Sequence, residues 1–538
     1  MSVFASNSSS RAHSDKAYLI ILDGYGMGKH GKGDALFHAK TPYFDALFQA
    51  NPHVLLKTDG ECVGLPAFQT GGSEVGHITI GAGRAVKHLL TKINDKIDSG
   101  EFFENTKLVK LFTLSKEGSS RIHFTGMLSD GGIHSFQAHL YGLLKMAKKF
   151  EIQEIYLHLF SDGRDVAERS FLDYFSALQA KISGLGLDEN VKIATVSGRY
   201  FAMDRDTNWD RISEISDLMI STNENVGDGR IVSAPTGDSV ENHVEKFYAE
   251  NSDSDYYLTP EIFDKNGQIE KEDIVINFNY RSDRSRQISE KISDQIGKDH
   301  YGIFGPYCEG ALEIFRFGVS KIENTLGEIL SKNNKTQVRI SETEKFNHVT
   351  FFFSGEQKSE FSGETRILVP SPKCKSYAEK PEMSAREQTE ELMKSLEISE
   401  KLEIGLPDFI VQNYANADLV GHSGDFEAAK ISAEVLDQCL SKIIPFAHKK
   451  GYQIFVTADH GNADEMFLDN GEPNAGHTKN LVPFIKVETL NGAPLQKNAE
   501  ISQKILREKG TLQDIAPTIL SQMKLPIPQE MTGENVFL

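Results

Sequence analysis

Residues 19–33 read LIILDGYGMGKHGKG, an apolar run that ends on Asp23 and then scatters glycines at 24, 26, 28, 31 and 33. Within it, Gly26-Met27-Gly28-Lys29-His30-Gly31 has the G-x-G-x-x-G spacing of a strand-to-helix turn that cradles a pyrophosphate. That reading requires a helix opening inside the glycines and an acid closing a second strand about 20 residues on. Neither is present. The glycines run on to Gly33, and the next helix signal is Thr41-Pro42, with Thr as N-cap and Pro at N1. The segment beyond is ANPHV, which carries no acid. Asp23, at the carboxyl end of the run, is the alternative carrier of chemistry. A turn or N-cap role for it stays equally open on this stretch alone.

Outward from this run, short apolar stretches alternate with amphipathic ones. YLIIL, RIHFTGM, EIYLHLF, VKIATVS, DIVINFNY, QVRIS, VTFFF, FIVQNY and YQIFVTA read as strands, and AHLYGLLKMAKKF as a helix. The pattern predicts an α/β fold of parallel sheets covered by helices. In such sheets ligands sit beyond the carboxyl ends of strands. Those ends carry Asp23, Asp130 and His134, Asp162 with Arg164 and Asp165, Arg199, Arg281 and Arg284, Asp418 and His422, and Asp459 with His460. Asp/His pairs fall near the two ends of the chain and arginines in the middle. The division predicts a central domain (residues 89–319) inserted into a discontinuous metal-type domain (17–88 and 320–538), after a flexible Ser-rich start (1–16).

The chain has 538 residues and a formal net charge of −19, which argues against a general nucleic-acid or acidic-membrane partner. An anionic ligand must therefore meet a local cluster of Arg, Lys or metal. The four cysteines show no C-x-x-C pair and read as free thiols of a reducing compartment. No secretory signal or membrane span is evident, so a soluble cytoplasmic protein is expected.

Asp418-x-x-x-His422, Asp459-His460 and His477 put two carboxylates and three imidazoles in the last third of the chain. Asp418 and His422 lie one helical turn apart and can face one point. Oxygen and nitrogen donors without cysteine suit Mn²⁺, Zn²⁺ or Fe, and with Asp23 the set is large enough for two ions, as in phosphoryl-transfer sites. In QTGGSEVGHITIGAGR, Ser73 stands at a glycine-bounded turn but misses the G-x-S-x-G elbow, because Val75 fills the last position. It reads either as a nucleophile or as a helix cap. SDGRD and RSDRSR read either as an anion clamp or as ordinary Arg–Asp pairing.

The motifs LDGYG, GGSEVGHITIGAGR, GMLSDGGIHS, SDGRD, SGRYFAMDRD, FNYRSDRSRQ, ETEKFNHVTFFF, NYANADLVGHSG, TADHGNAD and GHT occur in this order over about residues 17–538. In them the chain resembles the cofactor-independent phosphoglycerate mutases of the alkaline phosphatase superfamily. The resemblance implies a phosphatase-like domain with two divalent ions, Mn²⁺ by expectation, and an inserted phosphotransferase domain. It implies one ion on Asp418, His422 and His477, and the other on Asp23, Ser73, Asp459 and His460. Ser73 would be the phosphorylated nucleophile and Asp165 the general acid/base. His134, Arg164, Asp165, Arg199, Arg205, Arg281, Arg284 and Lys345 would bind a phosphoglycerate, in a monomer. Two positions depart from the family's usual residues: Gly72 stands for Asn and Tyr25 for Trp. A phosphatase or sugar phosphomutase of the same superfamily is the nearest rival. A silent metal-binding scaffold would need a broken ligand set, and none is broken.

Overall fold

The computed structural model describes residues 15–221, 239–251, 254–315, 322–467, 471, 473–490 and 510–537. The chain divides into two compact units, Met1–His88 with Val319–Leu538, and Leu89–Gly318. The Ser-rich start up to residue 14 and the expected boundary at residues 319–320 lie outside the described residues.

The first unit is built on an eight-stranded sheet whose spatial order is Glu364–Val369, Gln337–Glu342, Phe409–Tyr414, Ala17–Leu22, Gln453–Thr457, Val482–Val487, His53–Lys57, Gly510–Thr511. Ala17–Leu22 pairs in parallel with strands on both sides, and all six of its residues are buried. A strand covered on both faces needs apolar side chains at every position, which is why AYLIIL shows no alternation. The sheet is mixed, however: Val482–Val487 runs antiparallel to both of its neighbours.

The second unit has its own core around a seven-stranded sheet in the order Glu261–Ile262, Val191–Gly198, Glu154–Ser161, Arg121–Met127, Ile274–Asn277, Tyr301–Ile303, Leu312–Glu313. Its pairings are parallel except at Glu261–Ile262. Helix Gln137–Lys149 lies where the amphipathic stretch predicted one.

Two local expectations fail. VTFFF is not a strand: His348–Phe352 forms a π-helical turn. The fully buried Arg339 donates from Nη1 to Val349 O at 3.2 Å, and its guanidinium lies 4.5 Å from the Phe353 ring centroid. The aromatic run therefore wraps a buried cation, a use that a short apolar segment does not reveal. A one-turn helix, Ala35–His38, also precedes the Pro42–Ala50 helix. Asp34 caps it by accepting from Phe37 N at 2.9 Å.

Glu342 ends its strand fully buried and accepts a hydrogen bond from Ser371 Oγ at 2.8 Å. Burial, with Glu344 and Glu387 adding to it, pushes its carboxyl up to about 7 from an ordinary 4.5. Between those values the folded chain binds the proton and the unfolded chain does not, so stability falls as pH rises. Glu342→Gln keeps the shape of the neutral acid and removes this loss. Urea unfolding should show the variant gaining on the parent by on the order of 1–3 kcal/mol between about pH 5 and pH 8. A constant difference across that range would contradict the assignment.

Candidate metal centre

Four neighbouring parallel strands of the first unit deliver the site from their carboxyl ends. Asp23 follows Ala17–Leu22, and Lys345 closes the turn after Gln337–Glu342. Asp418 lies on the Asn416–Gly421 helix that follows Phe409–Tyr414, and Asp459 and His460 follow Gln453–Thr457. Ser73 is the first residue of the Ser73–Ala82 helix and Gly72 is its N-cap, so the capping reading of the serine fails. The helix can approach this closely because Gly76 faces Asp459, whose Cβ would stand 3.0 Å from an added methyl. A helix N-terminus also favours negative charge at the serine.

The Lys345 ammonium is the hub. It donates to Ser73 Oγ at 2.6 Å, Asp418 Oδ2 at 2.6 Å and Asp23 Oδ1 at 2.7 Å, all among buried groups. Ser73 Oγ donates to Asp23 Oδ1 at 3.1 Å and lies 2.9 Å from His460 Nε2. Burial works against the lysine's charge, but Asp23, Asp418 and Asp459 hold its pKa above the ordinary value. For Asp418 burial pulls upward and is overcome chiefly by the Lys345 ammonium, which holds the carboxyl well below the usual range. Asp23 is pushed up, by burial and by the neighbouring Asp459. Three carboxylates thus share one lysine, a shortage of positive charge in a dry place.

The histidines show what would make up that shortage. Nδ1 of His422 lies 2.6 Å from Ala475 O, Nδ1 of His477 2.8 Å from Gly71 O, and Nδ1 of His460 3.3 Å from Gly461 O. A carbonyl can only accept, so each ring carries its proton on Nδ1 and offers an Nε2 lone pair inward. Two of those nitrogens, on His422 and His477, stand 3.1 Å apart, and they lie 3.2 and 3.3 Å from Asp418 Oδ1. Lone pairs converging on one point fit a cation. Donor atoms of Asp418, His422 and His477 form one triad within 4.8 Å of one another, those of Asp23, Asp418 and His460 a second, and those of Asp23, His77 and Asp459 a third. Asp459 Oδ2 is buried and accepts no well-aligned hydrogen bond among the described residues. The oxygen and nitrogen donor set fits divalent ions. At Gly72 an added Cβ would stand 3.2 Å from His477 Cε1, so the missing side chain leaves that imidazole room. Tyr25 is buried against Phe44 at 4.8 Å between ring centroids.

The second unit gathers the other predicted residues. Arg199 is buried, and its Nη1 donates to Asp162 Oδ1 at 2.6 Å and Asp165 Oδ2 at 2.7 Å. His134 Nε2 lies 3.9 Å from Asp165 Oδ2. Burial, then Arg199, Arg281, Arg284 and Arg164, push the His134 imidazole down to about 2, so it is neutral within a strongly positive field. Arg284 donates to Met203 O at 3.1 Å, and Arg281 Nε lies 3.3 Å from Asp283. Arg205 is exposed, with its Nε 3.8 Å from its neighbour Asp206. Asp162, expected at a strand end, fastens Arg199; residues that the sequence did not single out are His77 and Asn413, which stand behind Ser73 and Asp23. SEVGH contains His77 but nothing that marks its role, and an Asn on a buried strand carries no signal.

Residues 15–527 match the Metalloenzyme superfamily. A 2,3-bisphosphoglycerate-independent phosphoglycerate mutase of Clostridium novyi (strain NT) is 41% identical over 96% of this chain and 98% of that protein. Its counterpart in Bacteroides fragilis (strain YCH46) is 39% identical over 97% and 100%. The chain belongs to the 2,3-bisphosphoglycerate-independent phosphoglycerate mutases. A solved structure of Leishmania mexicana phosphoglycerate mutase, obtained at low cobalt concentration, superposes with a TM-score of 0.70 at 26% identity, covering 97% of this chain and 98% of that one.

A cation that binds only the folded centre stabilises it by about 4 kcal/mol at a thousand-fold excess over its dissociation constant. Replacing EDTA with excess Mn²⁺ should therefore raise the melting temperature by roughly 5 °C. Asp418→Ala, which takes a ligand atom from two of the three triads, should remove most of that rise in differential scanning calorimetry.

Proposed function

We propose that the chain interconverts 3- and 2-phosphoglycerate through a phosphoserine at Ser73. The observation that carries this reading is the position of one hydroxyl: Ser73 Oγ, on the first residue of a helix, 2.6 Å from a buried ammonium and 2.9 Å from an inward imidazole.

Two divalent ions, Mn²⁺ in our reading, would be held by Asp418, His422 and His477 and by Asp23, Ser73, Asp459 and His460. When bound they supply positive charge to the phosphoryl and serine oxygens. Ser73 Oγ takes the phosphoryl group as the bond from phosphorus to the substrate oxygen breaks, and its proton passes toward Asp23 Oδ1, 3.1 Å away. Lys345 neutralises charge on the serine and phosphoryl oxygens. Asp165 delivers a proton to the freed hydroxyl and accepts one from the hydroxyl that takes the phosphoryl group back. Arg164, Arg199, Arg205, Arg281, Arg284 and the neutral His134 bind the carboxylate and phosphate charges. Arg199 is pinned by Asp162 and Asp165, so its fork is oriented before an anion arrives. In this reading the first unit is the two-metal phosphatase-like domain and the second the phosphotransferase domain. The protein works as a cytoplasmic monomer without nucleic-acid or membrane partners. No helix among the described residues is long and apolar enough to cross a membrane.

Phosphorus NMR of 3-phosphoglycerate with the Mn²⁺-loaded protein should show 2-phosphoglycerate; free phosphate in its place would make the protein a hydrolase. Ser73→Ala should lose at least about 10³-fold in kcat, and only the parent should carry phosphoserine after a quenched turnover. Asp165→Asn should lower kcat about 10²–10⁴-fold with substrate binding nearly unchanged.

A further inference from the structure

His77 and Asn413 are wholly buried, and neither has a part in the chemistry above. His77 lies one turn beyond Ser73 on the same helix, and Asn413 is on the strand next to Ala17–Leu22. Asn413 Nδ2 donates to Asp23 Oδ2 at 2.7 Å and lies 3.1 Å from His77 Nε2. The amide must point its nitrogen this way, because its oxygen would otherwise face a carboxylate oxygen. That orientation makes His77 Nε2 an acceptor and puts the ring proton on Nδ1. Nδ1 in turn lies 2.9 Å from Ser73 O and 3.2 Å from Asp459 Oδ2. The result is a directional chain of hydrogen bonds, Asp23, Asn413, His77 and the Ser73 carbonyl, with the Asp459 carboxylate lying against His77 at its end. It spans the back of the site from one carboxylate to the other. Lys345, Ser73 and His460 meet Asp23 at its opposite oxygen, Oδ1.

We infer that His77 and Asn413 are positioning residues of this centre, resting on the two-metal phosphoserine reading above. Asn413 turns Asp23 so that Oδ1 faces the reacting side, while His77, held between Asn413 and the Ser73 carbonyl, sets its Nδ1 edge 3.2 Å from the Asp459 carboxylate. Fixing ligand carboxylates from behind is the usual work of groups outside the coordination sphere, and its loss typically costs about 10–100-fold in metal affinity or activity.

The test uses full-length protein loaded with Co²⁺, whose visible absorption reports ligand geometry independently of turnover. Asn413→Leu, which keeps the shape and removes both donors, should bind as many Co²⁺ ions as the parent with an altered spectrum. Its kcat should fall about 10–100-fold with KM changed by less than about two-fold. His77→Asn can restore a donor near the place of Nδ1 and should recover much of the spectrum and kcat that His77→Leu loses. Should Asn413→Leu fail to fold, the His77 pair decides alone. Parent-like spectra and kcat in these variants overturn the inference. So does the loss of one bound Co²⁺ in both His77 variants, which would make His77 a ligand. A parent protein that takes up no Co²⁺ overturns the underlying reading, and the inference with it; a parent that does, beside unaffected variants, overturns the inference alone.

Discussion

An ammonium group buried between two carboxylates and a serine hydroxyl is the constraint around which the first unit is arranged. Lys345 comes from one strand end, Asp23 and Asp418 from two others, and Ser73 from a helix, and each is stranded without the rest. Taking such charges out of water costs several kcal/mol apiece, and only close, well-directed partners offset it. Four adjacent parallel strands ending at one edge provide that directness, because the sheet fixes where each successive loop begins. The helix glycine facing Asp459 serves the same end by letting the nucleophile's backbone come in against the acids.

The two units have opposite electrical characters. In the first, carboxylates outnumber the lysine, and three imidazoles present lone pairs rather than protons, so the site attracts cations. In the second, arginines surround a histidine that they keep neutral, and the local field attracts anions. The proposed phosphoryl transfer would use both, one to hold ions that draw charge from phosphorus and the other to hold a doubly anionic substrate. A strongly acidic chain can therefore hold a locally positive region, because the overall charge says little about the field within a few ångströms of His134.

Much of this was legible in the sequence, for definite reasons. Strands buried on both faces must be apolar throughout, and residues just beyond them are free to be Asp, His or Arg; that contrast exposed Asp23, Asp418, Asp459 and the arginines. The antiparallel strands HVLLK and VPFIKV were not legible. Their only signature is being short and apolar, and Pro483 speaks against a strand. VTFFF misled for a related reason: a run that packs on a buried guanidinium has the composition of one that packs in a sheet. Asn413 and His77 were invisible because their role lies in which neighbour's oxygen they meet, and that neighbour is 390 residues away in the case of Asp23.

That separation bears on how the molecule is made. Ala17–Leu22 is made about 390 residues ahead of its partner Phe409–Tyr414, and still further ahead of Gln453–Thr457. At about 5–20 residues per second, a bare apolar strand waits tens of seconds for its neighbours while the entire second unit is synthesised and can fold in between. The nascent chain therefore carries an apolar strand without its sheet partners through about 390 residues of synthesis. The same delay keeps Asp23 apart from Asp418, Asp459 and His460 until those residues are made.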